Sequence, residues 1–187
     1  EGNPSELWKA CIRFERKNGS AFRSLTISLP NGLSTEQLKE LAWRTAWRIA
    51  GIKPFQFALH MPPATFGDQL NPHIHLVICD RVPDGHPRPP EQMFRRYNPQ
   101  NPELGGCRKD SGGKSPIELR AQLRELRRAV AEEINFKLEE AGLDRRIDYR
   151  TFKERGIARS PEPYLGPVRV RKMTAEERIA VIQAREE

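Results

Sequence analysis

Apolar and polar positions alternate over residues 22–29: Leu25, Ile27 and Leu29 fall on one side, Ser24, Thr26 and Ser28 on the other. A period of two predicts a strand with one core face and one polar face. Upstream, Leu7, Cys11 and Phe14 recur at helical spacing. Asn3-Pro4-Ser5-Glu6 reads as the start of that helix, with Asn3 as cap and Pro4 in the first turn, and Asn18-Gly19 ends it. After the turn Pro30-Asn31-Gly32, Ser34-Thr35-Glu36-Gln37 is a capping box. Leu38, Leu41, Ala42, Thr45, Ala46 and Ile49 then mark the buried face of a second helix that stops at Gly51. Phe55, Phe57 and Leu59 alternate against Gln56, Ala58 and His60 in a second strand. A loop over 61–71 leads to a third strand over 73–80. The loop permits an antiparallel pair, which would set His60 beside His73 and His75.

Residues 81–115 break the pattern. Pro83, Pro87, Pro89, Pro90, Pro99 and Pro102, with Gly85, Gly105, Gly106, Gly112 and Gly113, predict a loop-rich insert holding one short helical piece over 91–97. Ser115-Pro116-Ile117-Glu118 is a second capping box. It opens a long helix with the stripe Leu119, Leu123, Leu126, Val130, Ile134 and Leu138, ending at Gly142. Short basic elements and turns follow over 144–170. The charged stretch over 174–187 is expected to be an exposed helix. The organisation is thus one domain over 1–172 and a charged tail over 173–187 that begins a linker helix.

Composition narrows the setting. The chain has 187 residues, enough for a core of its own, and 37% hydrophobic residues exclude a disordered chain. The formal charge of +7 favours a polyanionic partner. No apolar run approaches the roughly 18 residues that cross a membrane, and no signal-peptide pattern opens the chain, so membrane insertion is not expected. Cys11, Cys79 and Cys107 are odd in number and far apart, which fits reduced thiols in a cytosol.

The candidate chemistry lies in Pro72-His73-Ile74-His75-Leu76. The chain has four histidines, and His60, His73 and His75 fall in one region. Alternation sends His73 and His75 to one strand face, and His60 joins them from the neighbouring strand. Three imidazoles form a neutral nitrogen site for a divalent metal, with positions left for a substrate oxygen. This donor set suits Mn, Zn, Co or Ni better than Mg, which prefers oxygen. His86, in the proline-rich loop, is read as solvent-exposed.

Asn71-Pro72-His73-Ile74-His75-Leu76, with His60 closing the preceding strand, resembles the three-histidine motif of conjugative relaxases. More narrowly, the chain resembles the MobA/MobL family of plasmid mobilisation proteins. Arg95-Arg96-Tyr97-Asn98, Gly105-Gly106, Ala141-Gly142-Leu143, Arg146-Ile147-Asp148 and Leu165-Gly166-Pro167 extend the resemblance from Leu7 to about Val168. It implies the α+β fold of HUH endonucleases, an antiparallel sheet of about five strands with helices packed on it. It implies a nickase that cuts and rejoins single-stranded DNA at a transfer origin through a 5′-phosphotyrosyl link. The implied cofactor is a divalent metal, Mn preferred, with Mg or Zn as alternatives, on His60, His73 and His75. Relaxosome accessory proteins and a type IV secretion coupling protein are the implied partners, in the cytoplasm of a bacterium.

Two features depart from the family pattern. The family's nucleophilic tyrosine precedes the segment that matches Leu7, so the catalytic tyrosine is expected outside this chain. None of Tyr97, Tyr149 and Tyr164 matches it. Relatives also carry glutamates on the polar face of the first strand, where this chain has Ser24 and Thr26. Asp68 and Asp80 are the candidates to replace that carboxylate. Arg95, Arg96, Arg108, Lys109 and Lys114 lie in a glycine-rich segment with few acids, and Tyr97 could stack on a base, so these six are the candidate DNA contacts. The segment is expected to be a mobile arm that DNA orders. Three other readings stay open: a metal- and DNA-binding module without catalysis, a metal protein unrelated to DNA, and a replication nickase using Tyr149 in Tyr149-Arg150-Thr151-Phe152-Lys153.

Overall fold

The computed structural model describes residues 4–66, 69–163 and 165–186. The order of elements is α1 (Pro4–Phe14), β1 (Phe22–Ser28), α2 (Thr35–Ala50), β2 (Phe55–His60), β3 (His73–Cys79), α3 (Pro90–Met93), α4 (Pro116–Glu140), α5 (Gly166–Lys172) and α6 (Ala175–Glu186). The three strands form one antiparallel sheet in the order β1-β3-β2, so the histidine strand is central. Its fold class is the α+β arrangement expected, with three strands among the described residues rather than about five. Beyond β3 the proline-rich insert and the charged stretch over 144–163 lack the alternation that a strand needs. Asp148 there pairs with Arg150 and Arg155 instead.

Both capping boxes close as predicted. Ser34 accepts from the Gln37 amide and Ser115 from the Glu118 amide. Gly51 ends α2 at φ +59°, a conformation that costs other residues a steric clash. One face of the sheet, with Ile27, Ile74, Leu76 and Ile78, packs on Leu38, Leu41, Ala42 and Ala46 of α2 and on Ile134 and Leu138 of α4. Arg44 and Arg48 of α2 reach Glu133 of α4 at 3.0 and 2.9 Å and fix the helix pair. The apolar stripe of α4 is only half used: Ile134 and Leu138 are buried, whereas Leu119 and Leu123 remain exposed.

On the opposite sheet face, α1 covers one end. Cys11 packs on Cys79 and Phe94, with Leu7, Trp8 and Phe14 around them. Trp8 Nε1 donates to Gln56 Oε1 at 2.7 Å, which locks α1 across the sheet. The Asn3 cap lies outside the described residues.

The insert differs most from expectation. The helical piece over 91–97 shrinks to the single turn α3, and Phe94 and residues 105–107 are buried. Arg81, 3% exposed, makes a bidentate pair with Glu15 and donates to the carbonyls of Phe94, Arg95 and Cys107. Arg88 similarly donates to the carbonyls of Pro102 and Gly105. Gly105 and Gly106 are buried, and a Cβ on Gly106 would meet the Arg95 carbonyl oxygen at 2.2 Å. These glycines permit close backbone approach; they do not supply mobility. The charged stretch after Met173 forms α6, whose Arg178 and Arg185 lie over the ring of Phe66. No helix of the described residues is long and apolar enough to cross a membrane.

Candidate metal centre

Strand register assembles the site. His60 stands directly opposite His73, while Thr26 and Ala58 flank His75 on its two sides. Two rows therefore cross the sheet, Ser28-His73-His60 and Thr26-His75-Ala58. The small Ala58 leaves room for the imidazoles above it. The ring centroids lie 4.9–5.5 Å apart. One ring nitrogen from each histidine falls within 4.8 Å of the others. His60 and His75 are exposed and His73 is half-buried, so the centre opens to solvent.

Second contacts orient the rings. His73 Nδ1 lies 2.8 Å from the Asn71 carbonyl, which can only accept; the proton is therefore on Nδ1 and Nε2 is left as the donor for a metal. His75 Nδ1 lies 3.3 Å from Thr26 Oγ1. With its proton on Nδ1, His75 also presents Nε2. The hydroxyl of Thr26 thus occupies the orienting place where a carboxylate was sought. Among the described residues no carboxylate joins the three histidines. The donor set, three imidazoles whose ring nitrogens converge, could hold a divalent metal ion.

Of the two carboxylates sought, the described one, Asp80, is not at the centre. Asp80 is buried beyond the far end of β3, where it pairs with Arg23 at 3.0 Å and accepts from Ser111. Asp68 and Tyr164 lie outside the described residues. Tyr97 and Tyr149 line other cavities. Tyr149 sits in irregular chain rather than on a helix, which removes the support for the replication-nickase reading.

The candidate DNA contacts gather at the other end of β3 and divide into two sets. Arg96, Tyr97, Arg108 and Lys109 line one cleft of about 230 Å³ with Arg16, Arg81 and Gly112. Arg95 is exposed beside it. Lys109 is committed elsewhere: it donates to the Ser20 carbonyl at 2.7 Å and pairs with Glu15 at 3.3 Å. Lys114 pairs with Asp110, as does Lys53. Burial pushes the Asp110 carboxyl up, but hydrogen bonds from Lys53 and Lys114 outweigh it and hold it well below the usual carboxylate range. Sequence reasoning missed Thr26 as an orienting group and Arg16 as a cleft residue. Thr26 showed on the polar face of β1, but only the register places it opposite His75.

An antiparallel sheet with helices behind it and three converging histidines on its open face defines a candidate divalent-metal protein of relaxase-like fold. The family model for MobA/MobL matches residues 2–175, and the chain belongs to the MobA/MobL family. It is 40% identical to Mobilization protein A of Escherichia coli, over 88% of this chain and 22% of that protein. It is 35% identical to a 43 kDa relaxation protein of Salmonella typhimurium, over 83% of this chain and 42% of that one. With Mobilization protein MobL of Acidithiobacillus ferridurans the identity is 30%, over 92% and 49%. The chain therefore spans less than half the length of these relatives. A solved structure described as the molecular basis of vancomycin resistance transfer in Staphylococcus aureus shares the fold. Its TM-score is 0.56 at 23% identity, over 80% of this chain and 68% of that one.

Proposed function

We propose that this chain is the metal-binding part of a plasmid mobilisation relaxase, which nicks and rejoins one strand of single-stranded DNA at a transfer origin. The observation that carries this reading is the convergence of His60, His73 and His75 within 4.8 Å on an open sheet face, in a chain of the MobA/MobL family. These three residues would hold the divalent ion, Mn preferred, whose chemistry is Lewis-acid withdrawal of charge from a phosphate oxygen. The Asn71 carbonyl holds His73 in the ligating tautomer, and the Thr26 hydroxyl lies beside His75 Nδ1. The open face admits a phosphodiester, and the absence of a carboxylate beside the histidines, among the described residues, favours an anionic substrate there.

The bond changes are those of a transesterification. A tyrosine oxygen bonds to phosphorus and the deoxyribose 3′-oxygen leaves, taking up a proton. The strand then carries a 5′-phosphotyrosyl link and a free 3′-hydroxyl, with no change of oxidation state. The reverse step rejoins it. The proposed attacking tyrosine precedes the segment matching Leu7. The setting is the bacterial cytoplasm, with relaxosome accessory proteins and a secretion coupling protein as partners.

A second reading, a module that binds metal and DNA without cutting, is favoured by one observation: neither Tyr97 nor Tyr149 lies at the histidines. Intact-mass measurement after incubation with a transfer-origin oligonucleotide and Mn²⁺ separates the two. A covalent adduct that vanishes in His75→Ala supports the nickase. Metal and oligonucleotide bound without an adduct supports the module. Neither bound overturns both.

A further inference from the structure

The cleft beyond the far end of β3 is a charged concavity that the metal centre does not use. Arg16, Arg81, Arg96, Arg108 and Lys109 line it, with Tyr97 on its wall and no acidic side chain among the lining residues. Glu15, the carboxylate next to it, is committed to Arg81 at 2.9 Å and Lys109 at 3.3 Å. Arg16 reaches it only at 3.8 Å, and its own side chain is 59% exposed. The guanidinium groups of Arg96 and Arg108 make no ion pair or hydrogen bond among the described residues. Arg124 and Arg128 on α4 differ, since each is paired with a glutamate. The guanidinium groups of Arg96 and Arg108 thus share one small cavity without a paired counter-charge among the described residues, and Arg16 beside them has only the distant Glu15. Such a cluster repels itself unless an anion sits among its members, and guanidinium forks suit phosphate oxygens.

The placement is fixed by the fold. Arg81 and the close-packed Gly105 and Gly106 hold the insert rigid, so Arg96 and Arg108 are presented from set backbone positions. The cleft adjoins the sheet face that carries the histidines, because α1 packs on Cys79 and Gln56, which share that face with His75 and His60. β3 runs extended from His75 to Cys79, and a bend at Asp80 leads on to Arg81. The exposed side of α1 carries Lys9 and Arg13 at helical spacing, and Arg16 follows just past its end.

We infer that this cleft is a second phosphate-binding site for the same single DNA strand, beyond the end of β3 opposite the metal centre. Arg16, Arg96 and Arg108 take the backbone phosphates, and Tyr97 offers a ring on which a base stacks. Lys109 and Lys114, occupied by Ser20, Glu15 and Asp110, take no part. The inference rests on the DNA reading above and divides the grip on the strand between two ends of one sheet face.

The test is the salt dependence of binding to a 25-nucleotide oligothymidylate, with Mn²⁺ affinity measured in parallel. Arg96→Ala/Arg108→Ala lowers the slope of log K against log salt by about 1.4, at roughly 0.7 per phosphate contact. Mn²⁺ affinity stays unchanged, and Arg96→Lys/Arg108→Lys retains most of the slope. Steep wild-type binding with an unchanged slope in the alanine variant overturns the cleft and leaves the nickase reading standing. Wild-type protein that binds no oligonucleotide overturns both.

Discussion

At the start of β3, three imidazoles stand in the open, held by one backbone carbonyl and one hydroxyl. Just past its end, Arg81 is sunk out of solvent and knots Glu15 to three carbonyls of the insert. The first region costs the fold little, because imidazoles on an exposed face keep their water. The second couples folding to electrostatics, because a buried guanidinium is tolerated only when its partners are all in place. A ligand centre and a scaffold have thus been separated along one strand. Substitutions at the histidine end should change binding without changing stability, and substitutions at the insert end should do the reverse.

The largest expected effect breaks the insert end. Arg81→Ala strips the buried Glu15 of its bidentate partner, leaving it Lys109 at 3.3 Å, and frees three carbonyls, at a cost of up to about 3–5 kcal/mol in unfolding free energy. Urea melts would measure it, and amides over 94–107 should lose protection from hydrogen exchange while Mn²⁺ affinity is retained. A cost under about 1 kcal/mol would show that this pair does not hold the insert. Next, Thr26→Val removes the hydroxyl beside His75 and keeps its shape. Mn²⁺ affinity should fall roughly 10- to 100-fold, with the melting temperature of the metal-free protein unmoved. Equal affinity in both proteins would reduce Thr26 to a strand neighbour.

The smallest effect sharpens the insert end through pH. The folded-state pKa of Asp110 is held below its ordinary 3.8. Its contribution is therefore fully present above that value and is lost as pH falls below it. Wild type should exceed Asp110→Asn by up to about 1 kcal/mol at neutral pH. The gap should stay level down to about pH 4.5 and narrow below the ordinary carboxylate range. A gap that widens on acidification would give Asp110 no ion-pair role.

Much of the histidine end was legible in the chain. Alternation placed His73 and His75 on one face, and the length of the 61–71 loop placed His60 beside them. Both capping boxes marked their helix starts. The insert was misread because its two governing residues, Arg81 and Arg88, look like ordinary surface cations. Nothing in the local pattern tells a guanidinium bound to carbonyls from one bound to water. Gly105 and Gly106 suggested freedom for the same reason, since a glycine needed for close approach and one needed for flexibility are the same letter. Lys109 and Lys114 read as available charge until their carboxylates, Glu15 and Asp110, came into reach.

The sequence by itself determined the elements and the faces of the strands, because those follow from periods of two and 3.6 residues along one chain. It also pointed to the candidate metal ligands, since a period of two sets His73 and His75 on one face of a strand. Tertiary structure decided which polar groups are spent and which are free. Thr26 became an orienting group through register, Asp80 was drawn to Arg23 at the far end, and Arg16, Arg96 and Arg108 were left around one cleft. Those outcomes depend on distances between residues remote in sequence, and charge and hydrogen-bond energies fall off too steeply with distance for composition to foretell them.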